Sequence, residues 1–172
     1  MYLSKLFLLL ASVSLLLLGS CGTTNGYSLK GISIPAEVKT YYVAQFVDRA
    51  TNSPPTLAIE TTEALKEKIR RESRLIFNET EPDIEFKGSI VDFRVTAEAP
   101  APGETSALNR LTIVTAVEYI NRKDEEAGFK RNFSFFFDFP ATTELASIQT
   151  EAVQAILDQL TEDIFNAAFT NW

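Results

Sequence analysis

A row of alternating phenylalanines near the C-terminus constrains the fold of this chain more than any other feature. In FKRNFSFFFDF, residues 129–139, every second position from 133 to 139 is phenylalanine. Successive side chains of a β-strand point to opposite faces of a sheet, so this pattern predicts a strand with one aromatic face. The preceding run LNRLTIVTAVEYI, residues 108–120, also alternates, and NRKDEEAG joins the two runs. We therefore expect an antiparallel hairpin.

The aromatic row has two interpretations. One face of an antiparallel sheet normally packs on helices, which favours a core role for the four phenylalanines of the row. A lipid-binding surface is the alternative. Phe136 has the opposite parity and is the better candidate for a contact with a partner.

The remaining periodicity predicts two helices and further strands. Apolar residues recur at helical spacing from Leu57 to about Glu72, and a second stripe runs through Leu145, Ile148, Ala152, Ile156, Leu160 and Ile164. The segments 38–47, 74–79 and 83–95 are predicted strands, the last with a bulge near 88–90, where its apolar residues change parity. This order predicts an α+β fold: a two-layer sandwich with a mixed sheet of four to five strands and two helices packed on one face.

The first twenty residues have the pattern of a signal peptide. Lys5 precedes an apolar run of thirteen residues, Leu6 to Leu18. As a helix this run spans roughly 20 Å, which is shorter than the hydrocarbon core of a bilayer, roughly 30 Å. We therefore predict a cleaved signal at 1–20.

The sequence Leu18-Gly19-Ser20-Cys21 resembles the lipobox of bacterial lipoproteins. The resemblance implies that the Cys21 thiol carries a diacylglycerol, that the signal is cut before it, and that the freed amine receives an acyl chain. Residues 21–26 are then a lipidated tether and 27–172 the folded domain. The absence of Asp after the anchor resembles the pattern of lipoproteins sorted to the outer membrane, facing the periplasm. The alternative is an ordinary signal peptide with an incidental cysteine.

Composition excludes several kinds of chemistry. The chain has no histidine and one cysteine, so a Ser-His-Asp triad, a Cys-His pair, a zinc site of cysteines and histidines, and an internal disulfide are all impossible. Its carboxylate pairs lie on a helix surface or in a turn, so we expect no enzymatic activity and no metal site. The formal net charge of −7 argues against nucleic-acid binding.

Basic residues cluster along the predicted hairpin. Two pairs flank its loop and one arginine lies near its opposite end: Arg122, Lys123, Lys130, Arg131 and Arg110. Guanidinium and ammonium groups match phosphate oxygens, so these five are candidate contacts to a phosphorylated lipid. The alternative is a solvated hairpin tip whose charge is balanced by the adjacent acidic residues.

Several short segments carry a family resemblance through their order. These are Cys21-Gly22, GYSLKG at 26–31, Ile34-Pro35, ALNRLTI at 107–113 and LTEDIFNAAFTNW at 160–172. In these segments the chain resembles the LptE family of lipopolysaccharide-assembly lipoproteins. The resemblance covers essentially the whole mature chain in the order of its elements.

The resemblance implies a function and partners. It implies an outer-membrane lipoprotein that plugs an LptD-like β-barrel and assists the insertion of lipopolysaccharide into the outer leaflet. The barrel and lipopolysaccharide are then the partners, and the five basic residues above are candidate lipopolysaccharide contacts. No cofactor is expected beyond the acyl chains on Cys21. The alternative is a lipid-anchored binding or scaffold module of another envelope assembly or transporter complex.

Overall fold

The computed structural model describes residues 31–99 and 107–170. This part of the chain contains six β-strands, two α-helices and a short 3-10 turn. In chain order these are β1 Thr40–Val43, β2 Val47–Asp48, α1 Leu57–Glu72, β3 Ile76–Phe77, β4 Ile84–Glu98, β5 Leu108–Asn121, the 3-10 turn Glu125–Ala127, β6 Phe129–Pro140 and α2 Leu145–Phe169.

The strands form one mixed sheet in the order β3-β1-β4-β5-β6. β1 runs parallel to β3 and β4, β2 runs parallel to β4, and β5 is antiparallel to both β4 and β6. The helices contact each other, α1 contacts β1 and β2, and α2 contacts β5 and β6. The predicted α+β class, with a mixed sheet and two helices, is confirmed.

The predicted first strand, residues 38–47, is two shorter strands in the structure. The chain leaves the ladder after Val43, and the backbone N–H of Phe46 donates to the Thr62 hydroxyl of α1 at 3.0 Å. The chain rejoins β4 at Val47, so the sheet has six strands rather than four to five. The hydrogen bond between Phe46 and Thr62, sixteen residues apart, therefore interrupts the predicted strand.

β4 contains the bulge that its change of parity predicts. Ile90 pairs with Thr115 and Asp92 pairs with Val114, so Val91 is the extra residue. The bulge thus lies one residue beyond the predicted 88–90. Because of it, Ile90 and Phe93 are both buried, although they have opposite parity in the sequence.

The aromatic row of β6 belongs to the core. Phe133 is 7% exposed and Phe139 is 3% exposed, and the two phenylalanines between them pack against the core while partly buried. Phe136 points to the other face and is 43% exposed. The core interpretation of the row is therefore confirmed.

A buried cation joins the two helices. The Lys68 ammonium of α1 donates to Glu72 at 2.8 Å and to Glu162 of α2. Burial disfavours the charge, yet the hydrogen bonds to Glu162 and Glu72 hold the pKa of Lys68 above its usual value. The ammonium also lies over the Phe165 ring, 5.7 Å from its centroid, so apolar and ionic contacts meet at this helix pair.

Asp83 joins three segments just before β4 begins. Its Oδ2 accepts hydrogen bonds from the backbone N–H groups of Lys39 at 2.8 Å and Thr40 at 3.0 Å. Its Oδ1 lies 3.0 Å from the Lys123 ammonium, at the end of β5. The backbone N–H of Lys39, with Lys123 and Thr40, holds the pKa of the Asp83 carboxyl well below its usual value.

We expect Asp83→Asn to lower the free energy of unfolding by about 1–2 kcal/mol at pH 7, because an amide accepts weaker hydrogen bonds and loses the ion pair with Lys123. A carboxyl whose pKa is lowered on folding stabilises above the unfolded pKa of Asp, about 3.9, and loses that effect as the pH falls through the folded-state pKa. The difference in unfolding free energy between the variant and wild type should therefore become smaller below about pH 4. Urea unfolding at pH 7 and about pH 3 measures it.

Glu79→Gln is the matched control, since Glu79 is exposed on the surface. Its unfolding free energy should stay close to that of wild type at both pH values. An Asp83→Asn difference that is equally large at both pH values would contradict the assigned role of the carboxylate.

Candidate functional site

The sheet face away from the helices carries the charged residues of the hairpin. Register places Arg110 opposite Asp138 and Glu118 opposite Lys130 on this face. The Lys130 ammonium lies 3.1 Å from the Glu118 carboxylate. Opposite charges directly across two strands stabilise the pairing and neutralise one another.

Arg110 is held in a fixed geometry. Its Nε and Nη2 donate to the two Asp138 carboxylate oxygens at 2.7 and 2.8 Å, and its guanidinium lies 3.8 Å from the Phe136 ring centroid. The hydrogen bonds from Arg110 lower the pKa of the Asp138 carboxyl. A guanidinium with both a carboxylate and an aromatic partner is poorly placed to bind a further anion.

Arg122 and Lys123 lie at the hairpin tip, each paired with an acid at the start of β4. Arg122 donates to Glu85 at 2.9 Å, and Lys123 lies 3.0 Å from Asp83. These contacts connect the tip to β4. The tip is thus a set of ion pairs rather than an unpaired basic cluster.

A shallow groove crosses the open face where four strands present small side chains. Register forms a row from Val47 of β2 through Ser89 and Ala116 to Asn132 of β6. The groove has a volume of about 880 Å³, and four basic residues line it: Arg49, Lys87, Lys130 and Arg131. Small side chains in the row leave room between the longer residues on either side.

Two cations at the groove have no ion pair among residues 31–99 and 107–170. Lys87 lies 3.3 Å from Glu85 and Lys130 pairs with Glu118, which leaves Arg49 and Arg131. The Arg131 guanidinium lies 5.5 Å from the Phe129 ring centroid. Arg131 shares the parity of Phe129 and Phe133, so its backbone lines the groove while its guanidinium lies on the aromatic face. Arg49 is therefore the groove cation without an ion pair among the described residues, and its guanidinium can bind an anion.

The structure brings together only two of the five candidate residues. Lys130 and Arg131 line the groove, whereas Arg122 and Lys123 are at the tip. Arg110 lies eight residues along β5 from Glu118, roughly 27 Å away at the rise of an extended strand.

Arg49 and Lys87 also line the groove and were missed from the sequence. Arg49 reaches it through the register of β2 on β4, and Lys87 through the register of β4 on β5. No local sequence pattern specifies either register. The cations that are close in the sequence are therefore not the same set as the cations that are close on the sheet.

Cys21 lies outside the described residues, as do all of the residues assigned to the tether. Within the described ranges, no group of three acidic or sulfur ligands is arranged to hold a metal ion. Neither described helix is long and apolar enough to cross a membrane. The described chemistry is thus a charged sheet face with one basic groove.

Three solved structures are similar to the chain at low sequence identity. A minor lipoprotein from Acinetobacter baumannii is 11% identical with a TM-score of 0.47, and the match covers 77% of this chain and 97% of that one. Uncharacterized lipoprotein B from Nitrosomonas europaea is 13% identical with a TM-score of 0.47, covering 81% and 88%. A hypothetical protein from Chlamydia trachomatis is 7% identical with a TM-score of 0.46, covering 76% and 98%.

No curated protein sequence matches the chain significantly. A family model does match, and it is described as lipopolysaccharide-assembly, LptE. The match runs from residue 38 to residue 168, from just before β1 to the end of α2, and so includes every strand, both helices and the basic groove. Because it spans most of the 172 residues, the chain belongs to the LptE lipopolysaccharide-assembly family.

Proposed function

We propose that this protein is a lipid-anchored, periplasm-facing plug of an LptD-like outer-membrane β-barrel, and that it assists the insertion of lipopolysaccharide into the outer leaflet. The family match over residues 38–168 carries the proposal, because LptE lipoproteins are non-enzymatic components of lipopolysaccharide assembly. The chain would act by binding and positioning, which suits a surface of ion pairs.

The N-terminus supports the membrane attachment. Cys21 follows an apolar run and the small residues Gly19 and Ser20. Several acyl chains, each CH₂ contributing about 0.8 kcal/mol on insertion, hold a soluble domain stably at a membrane surface. We propose Cys21 as the lipidated first residue of the mature protein.

The basic groove supports contact with lipopolysaccharide. Phosphate oxygens match the planar donors of arginine, and Arg49 lines the groove with Lys87 and Lys130. We propose this groove as the phosphate contact. Arg110, Arg122 and Lys123 would contribute less, since each already faces a carboxylate.

Cys21→Ala should abolish incorporation of labelled palmitate and shift the protein from the membrane to the soluble fraction, because both acyl attachment points depend on this residue. Thr23→Ala, two residues away, is the matched control and should keep the label. Labelling, with fractionation of cell extracts, measures both effects. Labelled Cys21→Ala protein would disprove lipidation at this position, and an unlabelled protein that stays in the membrane would show that a partner retains it.

Depletion of the protein should reduce surface lipopolysaccharide and leave an LptD-like barrel unstable, and the two proteins should copurify from outer membranes in detergent. Quantitative mass spectrometry of the purified complex, with measurement of surface lipopolysaccharide, tests the proposal. Normal lipopolysaccharide and barrel levels on depletion would contradict it. Copurification with a different large envelope complex would instead support the role of a scaffold module.

Arg49→Ala should weaken binding of purified lipopolysaccharide by about fivefold, which corresponds to about 1 kcal/mol for one lost phosphate contact. The matched control is Arg122→Ala, which removes the same charge from a residue paired with Glu85. Titration with fluorescent lipopolysaccharide measures both variants. Equal loss in the two variants would show a response to net charge rather than to the groove.

A further inference from the structure

The outer edge of β6 has no neighbouring strand among the residues that the structure describes, because β6 is the last strand of the sheet. It runs from Phe129 to Pro140, far longer than β3 at the opposite edge, which has two residues. A long free edge presents a row of unpaired N–H and C=O groups to any other strand. This edge is therefore the main unsatisfied backbone surface of the described fold.

The hydrogen bonds between β5 and β6 determine which residues of β6 have free N–H and C=O groups at the outer edge. Ala141 donates its backbone N–H to Ala107 at 3.0 Å, one step beyond the pair formed by Leu108 and Pro140. Bonded and non-bonded pairs alternate along an antiparallel ladder, so odd-numbered residues of β6 bond to β5. Even-numbered residues point their N–H and C=O groups outward. Pro140 is even-numbered, so its missing N–H removes no bond from the sheet.

We propose that a second copy of this chain pairs antiparallel along this edge, about a two-fold axis that passes through Ser134. Outward groups lie on even-numbered residues, so an even-numbered residue must face an even-numbered residue of the second copy. With the axis at Ser134, Pro140 faces Gly128, which precedes β6, so every residue that must donate has an N–H. Shifting the axis to residue 135 would place Pro140 opposite Lys130. Because proline has no N–H to donate, one hydrogen bond would be lost at each end of the pairing.

Charge complementarity selects the same register. The register about Ser134 places Lys130 opposite Asp138 of the second copy, and the two-fold axis repeats this pair at the other end. Within one copy Lys130 already contacts Glu118, and Asp138 contacts Arg110. Charges of alternating sign would then follow one another across four strands, an arrangement that favours pairing. A strand without this pattern would place no carboxylate opposite Lys130.

The aromatic face is also complementary in this register. Phe133 faces Phe135 of the second copy, and Arg131 faces its Phe137. A groove of about 530 Å³ lies beside Arg131 and Phe133, and Asp163 and Asn166 of α2 form its other side. Phe137 is half-buried in one copy, and its ring would enter this groove in the other. The pairing would cover apolar surface that one copy leaves open.

Disulfide formation at the axis tests the proposal. In a bonded antiparallel pair the two Cα atoms lie about 5.5 Å apart, within the range that a disulfide spans. The full chain with Ser134→Cys, purified in mild detergent and oxidised, should form a covalent dimer. Wild type controls for cross-links through its single cysteine, Cys21.

Neighbouring positions test the register. Asn132→Cys faces Phe136 of the second copy and should not cross-link to itself, whereas a mixture of Asn132→Cys and Phe136→Cys chains should form the mixed dimer. Absence of the Ser134→Cys dimer in folded protein would overturn the proposal. Equally efficient cross-linking of Asn132→Cys to itself, or cross-linking of Ser134→Cys only to a different protein, would also overturn it.

A proline at the axis provides a second measurement. Ser134→Pro removes an outward N–H and leaves the bonds between β5 and β6 intact, so the variant should keep the thermal unfolding of a folded domain. Its dimer dissociation constant, from sedimentation equilibrium, should rise at least about tenfold. A wild-type chain that remains monomeric at about 100 µM would contradict the pairing, and neither result bears on the proposed barrel partner.

Discussion

The β-bulge at Val91 is the constraint on which the rest of the structure depends. β4 is the only described strand that pairs with three others, β1, β2 and β5, so its orientation sets that of the sheet. A one-residue slip moves every following side chain to the opposite face. The bulge introduces that slip once and puts Ile90 and Phe93 on the same buried face. Without it, one half of β4 would expose its apolar residues.

Once the apolar residues of both halves face the helices, the charged residues are gathered on the opposite face. There, cross-strand register pairs most cations with a carboxylate, as for Arg110 with Asp138 and Lys130 with Glu118. The binding properties of this face therefore depend on the few cations left without such a partner. Arg49 is prominent because its neighbours are neutralised, whereas the number of basic residues in the sequence says little about the groove.

Local patterns predicted the local parts of the fold. Helical spacing identified α1 from Leu57 to Glu72, and alternation identified the hairpin and the bulge within one residue. Two features depend on distant parts of the chain and could not be predicted in this way. The break after Val43 follows from the bond between Phe46 and Thr62, and the groove follows from the register of β2 on β4. The pair of Arg110 and Asp138 could be predicted in part. Once the turn is known, the length of the hairpin loop sets the register of β5 and β6, and that register places the two residues opposite each other.

The net charge of −7 is at odds with binding an anionic lipid only if charge is averaged over the whole surface. At physiological ionic strength the Debye length is about 8 Å, so exposed charges farther apart than this are largely screened. The carboxylate of Asp138 pairs with Arg110, which lies roughly 20 Å along β5 from Ala116, the nearest groove residue of that strand, and so contributes little to the potential there. Glu118 in the groove and Glu85 near it are each close to a lysine or arginine partner. An acidic protein can therefore present a locally basic surface, provided that its carboxylates are paired where they lie nearest to the ligand.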